Sequence, residues 1–189
     1  MASDLPVPIA PVRVSVTFAL GRRAGGAVHR EIERKFLVRG DGWRGRAEPV
    51  SYRQGYLART SDRVVRVRVA GNKGLLTVKI KSGVISREEF EYSVPLEDAQ
   101  AMLSALSPGE IIEKYRYTFE EKGAVWEVDE FLGANSGLIV AEIELKSEDQ
   151  EFEKPDWLGD EVSRLSRYLN VELAQNPYCT WDAEKERNR

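Results

Sequence analysis

The stretch "HREIERKFLV" at residues 29–38 alternates, and its polar positions are sorted rather than mixed. Written as a strand, with successive side chains on opposite faces, it puts Ile32, Arg34, Phe36 and Val38 on one side. Glu31, Glu33, Lys35 and Leu37 fall on the other. The pattern recurs along the chain. "VVRVRVA" aligns Arg66 with Arg68, "LTVKIKS" aligns Thr77, Lys79 and Lys81, and "SREEFEYSV" aligns Arg87, Glu89 and Glu91. "IEKYRYTF" aligns Lys114 with Arg116, "VWEVDEF" aligns Glu127 with Asp129, and "VAEIELK" aligns Glu142 with Glu144. A single such strand reads as part of a sheet with one wet face. Seven of them, with the charges grouped by sign, constrain the fold far more, because a solvated face mixes Ser, Thr, Gln and Asn among its charges without plan.

The order of segments suits such a sheet. Alternation predicts strands over 31–38, 51–59, 62–69, 75–81, 86–93, 111–119, 124–131 and 138–146, separated by turn signals such as "RGDGWRG", "AGNKG" and "GANSG". Several links are short enough to require antiparallel hairpins. "PLEDAQAMLSALSPGE" has helix chemistry, with Pro95 at its start, carboxylates in its first turn and apolar residues at Leu96, Ala99, Met102, Leu103 and Leu106. "LGDEVSRLSRYLN" is expected to form a second helix after a polar linker. The organisation expected is an N-terminal extension over 1–28, poorly ordered, a domain over 29–178 and a tail over 179–189. About eight antiparallel strands with few helices suggest a barrel or a sandwich.

Composition removes several functions. The formal net charge of −3 over 189 residues argues against a dedicated nucleic-acid binder. Cys179 is the single cysteine, so neither a disulfide framework nor a cysteine zinc site exists, and a reducing cytoplasm is expected. His29 is the single histidine, which excludes a His-based triad or a His-rich metal site. No apolar run reaches the ~18 residues of a membrane span, so no membrane partner is expected.

If the sheet closes, its first and last strands meet and gather Glu31, Glu33, Glu142 and Glu144. Four neighbouring carboxylates raise one another's pKa, a penalty that a divalent cation removes. An all-oxygen donor set selects a hard ion, Mg²⁺ or Mn²⁺. The basic faces opposite would repel one another unless a polyanion lay between them. Arg forks and mobile Lys ammoniums suit a chain of phosphates.

The ordered series "EIERKFLV", "RQGYL", "RVRV", "LTVKIKSG", "SREEFEY", "IEKYRY", "WEVDEF", "AEIEL" and a late "GDEV" resembles the CYTH domains, or triphosphate tunnel metalloenzymes, and most of all their short bacterial members. The resemblance implies a mainly β fold, an eight-stranded antiparallel closed tunnel with a charged lumen and a few flanking helices. It implies metal-dependent hydrolysis of inorganic tripolyphosphate. Glu31, Glu33, Glu142 and Glu144 would hold the metal. Lys35, Arg66, Arg68, Lys79, Lys81, Arg87, Lys114, Arg116 and Arg167 would bind phosphates. Glu89, Glu91 and Asp129 would be supporting residues or ligands of a second metal, with an orienting salt bridge as the equal alternative for each. Tyr56, in "RQGYL", is a candidate to orient or deprotonate the attacking water, a task that Lys35 could share. The chain departs from its relatives at Ser166, where they carry a Lys. The competing readings are a nucleoside or thiamine triphosphatase, an adenylate cyclase, and a non-catalytic polyphosphate binder. A monomer and a homodimer are equally compatible with the sequence.

Overall fold

The computed structural model describes residues 29–81 and 86–181; of residues 29–31, 86, 87 and 108 only the backbone is described. The N-terminal extension lies outside these residues. Nine strands form one antiparallel sheet: β1 (His29–Val38), β2 (Val50–Arg59), β3 (Arg63–Ala70), β4 (Lys73–Lys81), β5 (Ser86–Val94), β6 (Ile112–Glu121), β7 (Ala124–Phe131), β8 (Ile139–Glu144) and β9 (Leu158–Glu161). The order is β5-β4-β3-β2-β6-β7-β8-β1-β9, and β1 pairs additionally with β5. The first eight strands stand within two residues of their predicted bounds, because a period of two survives wherever one face is apolar and the other is charged.

The ninth strand corrects the sequence reading. "LGDEVSRLSRYLN" was expected to be one helix, and it divides into β9, a 3-10 turn at Ser166–Tyr168 and a single helical turn, α2 (Asn170–Leu173). The reason lies in β1. Its first residues, His29–Ile32, pair with Glu89–Ser86 of β5, which leaves Phe36–Val38 an open edge on that side. An unpaired edge is unfavourable, and β9 covers it, with Phe36 opposite Glu161 and Val38 opposite Leu158. Gly159 is required there, since a Cβ would stand 2.8 Å from the carbonyl oxygen of Leu37.

Each face of the sheet has its own cover. On the apolar face Ile32, Phe36, Trp126, Val128, Ala141 and Ile143 pack with Trp43, Leu145 and Trp157 into the main core. Trp126 meets Phe36, Phe152 and Trp157 edge to face. The helix α1 (Leu96–Ser104) lies over β3 and β4, pressing Ala99 and Leu103 onto Val67. Its first turn carries Glu97 and Asp98, which complement the helix dipole. The polar face turns apolar at one end. There Ile112, Phe131 and Val140, two residues along from Lys114, Asp129 and Glu142, are sealed by Val162, Tyr168, Leu173 and Trp181. The chain therefore stays packed through Trp181, past the expected domain boundary at 178.

Gly74 sits where β4 passes beneath the start of α1, and a Cβ there would meet Val94 O at 2.8 Å, Pro95 O at 2.9 Å and Ala99 Cβ at 2.9 Å. Two of these are backbone atoms that cannot swing away. Gly74→Ala is expected to cost about 2 kcal/mol and to lower the melting temperature by roughly 4–8 °C. Gly109→Ala, where nothing lies within 4 Å, should stay within about 0.5 kcal/mol of the parent. Thermal unfolding of the two variants checks this.

Candidate functional site

The polar face divides into an open cavity and a closed network. The cavity, about 430 Å³, is lined by Glu33 and Lys35 of β1, Tyr56 and Arg59 of β2, Arg66 of β3, Lys79 and Lys81 of β4, and, from the C-terminal segment, Ser163, Arg164, Ser166 and residues 169–172. Its wall holds seven basic residues (Lys35, Arg59, Arg63, Arg66, Lys79, Lys81, Arg164) and three acidic ones (Glu33, Asp62, Glu172). The excess of four positive charges favours a polyanion. Arg66 is buried and donates to Thr77 at 3.1 Å and to Glu91 at 3.4 Å. Its Nε is also buried and has no hydrogen-bond partner among the described residues, so an unused donor remains at the cavity wall.

Further along the face the charges satisfy one another. The Lys35 ammonium lies 3.0 Å from Glu33 and bonds Glu142. Arg116 donates to both oxygens of Asp129 at 2.6 Å, to Glu142 at 2.9 Å and to Glu127. Lys114, fully buried, bonds Asp129. Three cations (Lys35, Lys114, Arg116) thus meet four carboxylates (Glu33, Glu127, Asp129, Glu142). Arg68 is held by Gln54 at 3.0 and 3.1 Å. Much of the charge on this part of the face is matched by its own carboxylates, although Arg116 still repels both Lys114 and Arg68, as expected of neighbouring basic residues.

Protonation follows from these contacts. Burial would lower Lys35, but the charges of Glu142 and Glu33 outweigh it and hold the ammonium above its ordinary value. Burial would raise Glu142; Lys35 and Arg116 outweigh it and hold the carboxylate well below 4.5. Asp129 is held low by Arg116 and Lys114 against its own burial. Burial and the neighbouring Arg116 push Lys114 down to about 8. Tyr56 is half-buried in the cavity wall, and burial pushes its hydroxyl up to about 12 despite Arg66 and Arg68. Since Arg68 can only donate, Gln54 turns its oxygen to Arg68 and its amide to the Tyr56 hydroxyl at 3.0 Å. The phenol's own proton is left to donate into the cavity.

Of the residues expected to bind a metal, Glu33 stands opposite Glu144, and Lys35 opposite Glu142, in the β1–β8 register. Glu142 is buried and Glu144 exposed. Among the described residues no three His, Cys, Asp or Glu side chains stand together as a cage, since the Lys35 ammonium lies between Glu33 and Glu142. The donor set still suits a hard ion. It offers carboxylate oxygens alone, and the ammonium marks a place between two of them where a cation is stabilised. The expected supporting acids sit against cations or their neighbours: Glu89 lies 2.7 Å from Lys79, Glu91 accepts from Thr77 at 2.9 Å, and Asp129 accepts from Arg116. Arg167 stacks on Trp181, 4.7 Å from the ring centre. The side chains of Glu31 and Arg87 lie outside the described residues.

Residues 29–176 match the CYTH domain family. The chain belongs to that family. The CYTH domain here is 52% identical over 149 residues to the inorganic triphosphatase of Acetivibrio thermocellus, covering 79% of this chain and 96% of the relative. It is 38% identical over 148 residues to the inorganic triphosphatase of Nitrosomonas europaea, covering 76% and 96%. A solved inorganic triphosphatase structure superimposes with a TM-score of 0.58 at 36% identity, over 76% of this chain and 97% of that one. Sequence reasoning on this CYTH domain missed Gln54, Arg59 and Arg164. Gln54 alternates in phase with Tyr56 and could have been found. Arg164 lies in a segment read as helix, and Arg59 is brought to the cavity by an irregularity that no periodicity signals.

Two carboxyls held below their ordinary values make a stability prediction. In the folded state Glu142 and Asp129 bind fewer protons than in the unfolded chain, so their pairs stabilise the CYTH domain above about pH 4.5, and the gain is lost as pH falls through their folded-state values. The urea midpoint should drop between pH 6 and pH 3.5. Glu142→Gln should start lower at pH 6 and lose less over the same interval.

Proposed function

We propose that the protein is an inorganic triphosphatase, hydrolysing tripolyphosphate to pyrophosphate and phosphate. The observation that carries this reading is the cavity wall itself, where seven basic residues, Lys35, Arg66, Lys79 and Lys81 among them, outnumber three acidic ones. Two relatives bearing that name, at 52% and 38% identity over nearly their whole length, support it. We further infer that the sheet wraps into a tunnel, which is supported by the pairing of β1 with β8 on one side and with both β5 and β9 on the other. The apolar seal at Leu173 and Trp181 then stops one end, leaving entry from the cavity side.

A divalent ion, Mg²⁺ or Mn²⁺, would be held by Glu33, Glu142 and Glu144, with Glu31 as the fourth ligand expected from the sequence. When bound, such an ion supplies charge neutralisation on the phosphate oxygens and acidifies the attacking water. The chain's own residues do the rest. Arg66 offers its unused N–H to a phosphate oxygen, while Lys79 and Lys81 hold successive phosphates as point charges. The Tyr56 hydroxyl, kept protonated, donates to a substrate oxygen or to the water. Lys35, kept charged, balances Glu33 and Glu142 beside the site. The water's oxygen bonds the terminal phosphorus as the bridging P–O bond breaks, its electron pair staying on the pyrophosphate oxygen, and the water's proton passes to a phosphate oxygen of the substrate. A nucleoside triphosphate ranks below tripolyphosphate, because both relatives that support the reading are named inorganic triphosphatases.

A phosphate-release assay across tripolyphosphate, pyrophosphate, ATP and thiamine triphosphate tests the reading. Turnover should be greatest on tripolyphosphate and vanish in chelator. Cyclic nucleotide from ATP, or binding without turnover in the presence of either metal, would replace the hydrolase by a cyclase or a binder. Tyr56→Phe separates the two roles considered for that residue. As a donor its loss should cost about 100–1,000-fold in kcat with the basic limb of the pH profile unmoved. Disappearance of a limb would restore Tyr56 as the base.

A further inference from the structure

Arg59 reaches the cavity through a bulge. The β2–β3 register shifts between Tyr56 and Ala58, where Leu57 is the extra residue and is 40% exposed. Strict alternation from Tyr56 would turn Ala58 inward. The bulge turns Arg59 inward instead, opposite Val64, and both line the cavity. A guanidinium is thereby delivered to the mouth, about 7 Å along the strand from Tyr56, two steps of the partner strand. It arrives already engaged. Glu172 of α2 takes one edge of Arg59, and Gln175 accepts from it at 2.7 Å. Arg63, the next arginine of the rim, is paired with Asp62 at 2.8 Å. Arg164 alone of the three rim arginines has no ion pair among the described residues.

We propose that Glu172 sets the length of polyphosphate that the cavity grips. By occupying Arg59 it withdraws one cation from the mouth and leaves Arg164 as the unpaired cation of the rim, so phosphates beyond the third meet less positive charge than they would with Arg59 released. Glu172 is a specificity-determining residue acting through Arg59, and the chemical class of ligand rests on the triphosphatase reading. A link that merely fastened α2 to the β2–β3 turn would alter stability, but it would not discriminate between chain lengths.

The test is titration calorimetry of tripolyphosphate and linear tetrapolyphosphate at one fixed free Mg²⁺ concentration, with phosphate release followed in parallel. Glu172→Gln keeps the size and hydrogen bonding of the side chain while removing its charge. It should shift the ratio of the two dissociation constants about fivefold toward tetrapolyphosphate. Adding Arg59→Ala to that variant should return the ratio to the parent's. An unchanged ratio in Glu172→Gln, or a shift that survives without Arg59, would overturn the proposal. A shifted ratio with no hydrolysis would keep it and remove the triphosphatase reading; hydrolysis with an unshifted ratio would do the reverse.

Discussion

The fold depends on carrying charge where a sheet ordinarily carries hydrocarbon. A buried ammonium or carboxylate costs several kcal/mol unless it is matched, and one mismatched partner in such a site costs about as much again. The chain meets this by interleaving. Lys35 lies between Glu33 and Glu142, Arg116 spans Glu142, Glu127 and Asp129, and Lys114 finishes on Asp129. Each cation has an opposite neighbour on an adjacent strand, so the network holds only while β1, β6, β7 and β8 keep their register. A slip by one residue would send every one of these charges into the apolar core against Trp126 and Ile143. The same pairs that make the face tolerable therefore specify the pairing of the strands.

That network also decides where an anion can be useful. Cations with carboxylates at 2.6–2.9 Å have little left to offer a ligand, as with Arg116 against Asp129 and Glu142. Arg66, with a buried N–H unused, and Lys81, on an exposed strand end, have more. Charge excess thus concentrates in the cavity and fades along the face. The C-terminal segment sharpens the boundary by stopping the far end with Tyr168, Leu173 and Trp181.

Much of this was legible beforehand, and the limits have physical causes. Eight strands were legible because charged and β-branched residues alternate without interruption, as in "VVRVRVA". The pairing of the charges was not, because Lys35 and Glu142 are 107 residues apart, and alternation gives the face of a residue but never its neighbour. Read without register, Lys114 and Arg116 looked like a basic wall; the register sets Asp129, one strand over, within reach of both. The ninth strand was missed because Leu158 and Val162 are four apart, a spacing that serves a helix as well as a bent edge segment. Only the unsatisfied edge of β1 settles between them. Arg59 was missed for a related reason, since a one-residue bulge inverts the face of everything beyond it.

The state of the protons bears on the chemistry as much as the charges do. A hydrolase acting on a carbon centre usually needs a base tuned near neutrality, and neither Lys35 nor Tyr56 is tuned so: the first is held charged by Glu142 and Glu33, the second is held neutral by burial. Phosphoryl transfer asks for less. Its transition state is loose, with charge spread over equatorial oxygens, and positioning with electrostatic stabilisation supplies most of the acceleration. A wall of fixed cations and one protonated phenol, braced by matched pairs that do not reorganise, suits that demand and would serve acyl transfer badly. The absence of a tuned base among these cavity groups is thus the expected signature of a site whose substrate brings most of the negative charge itself.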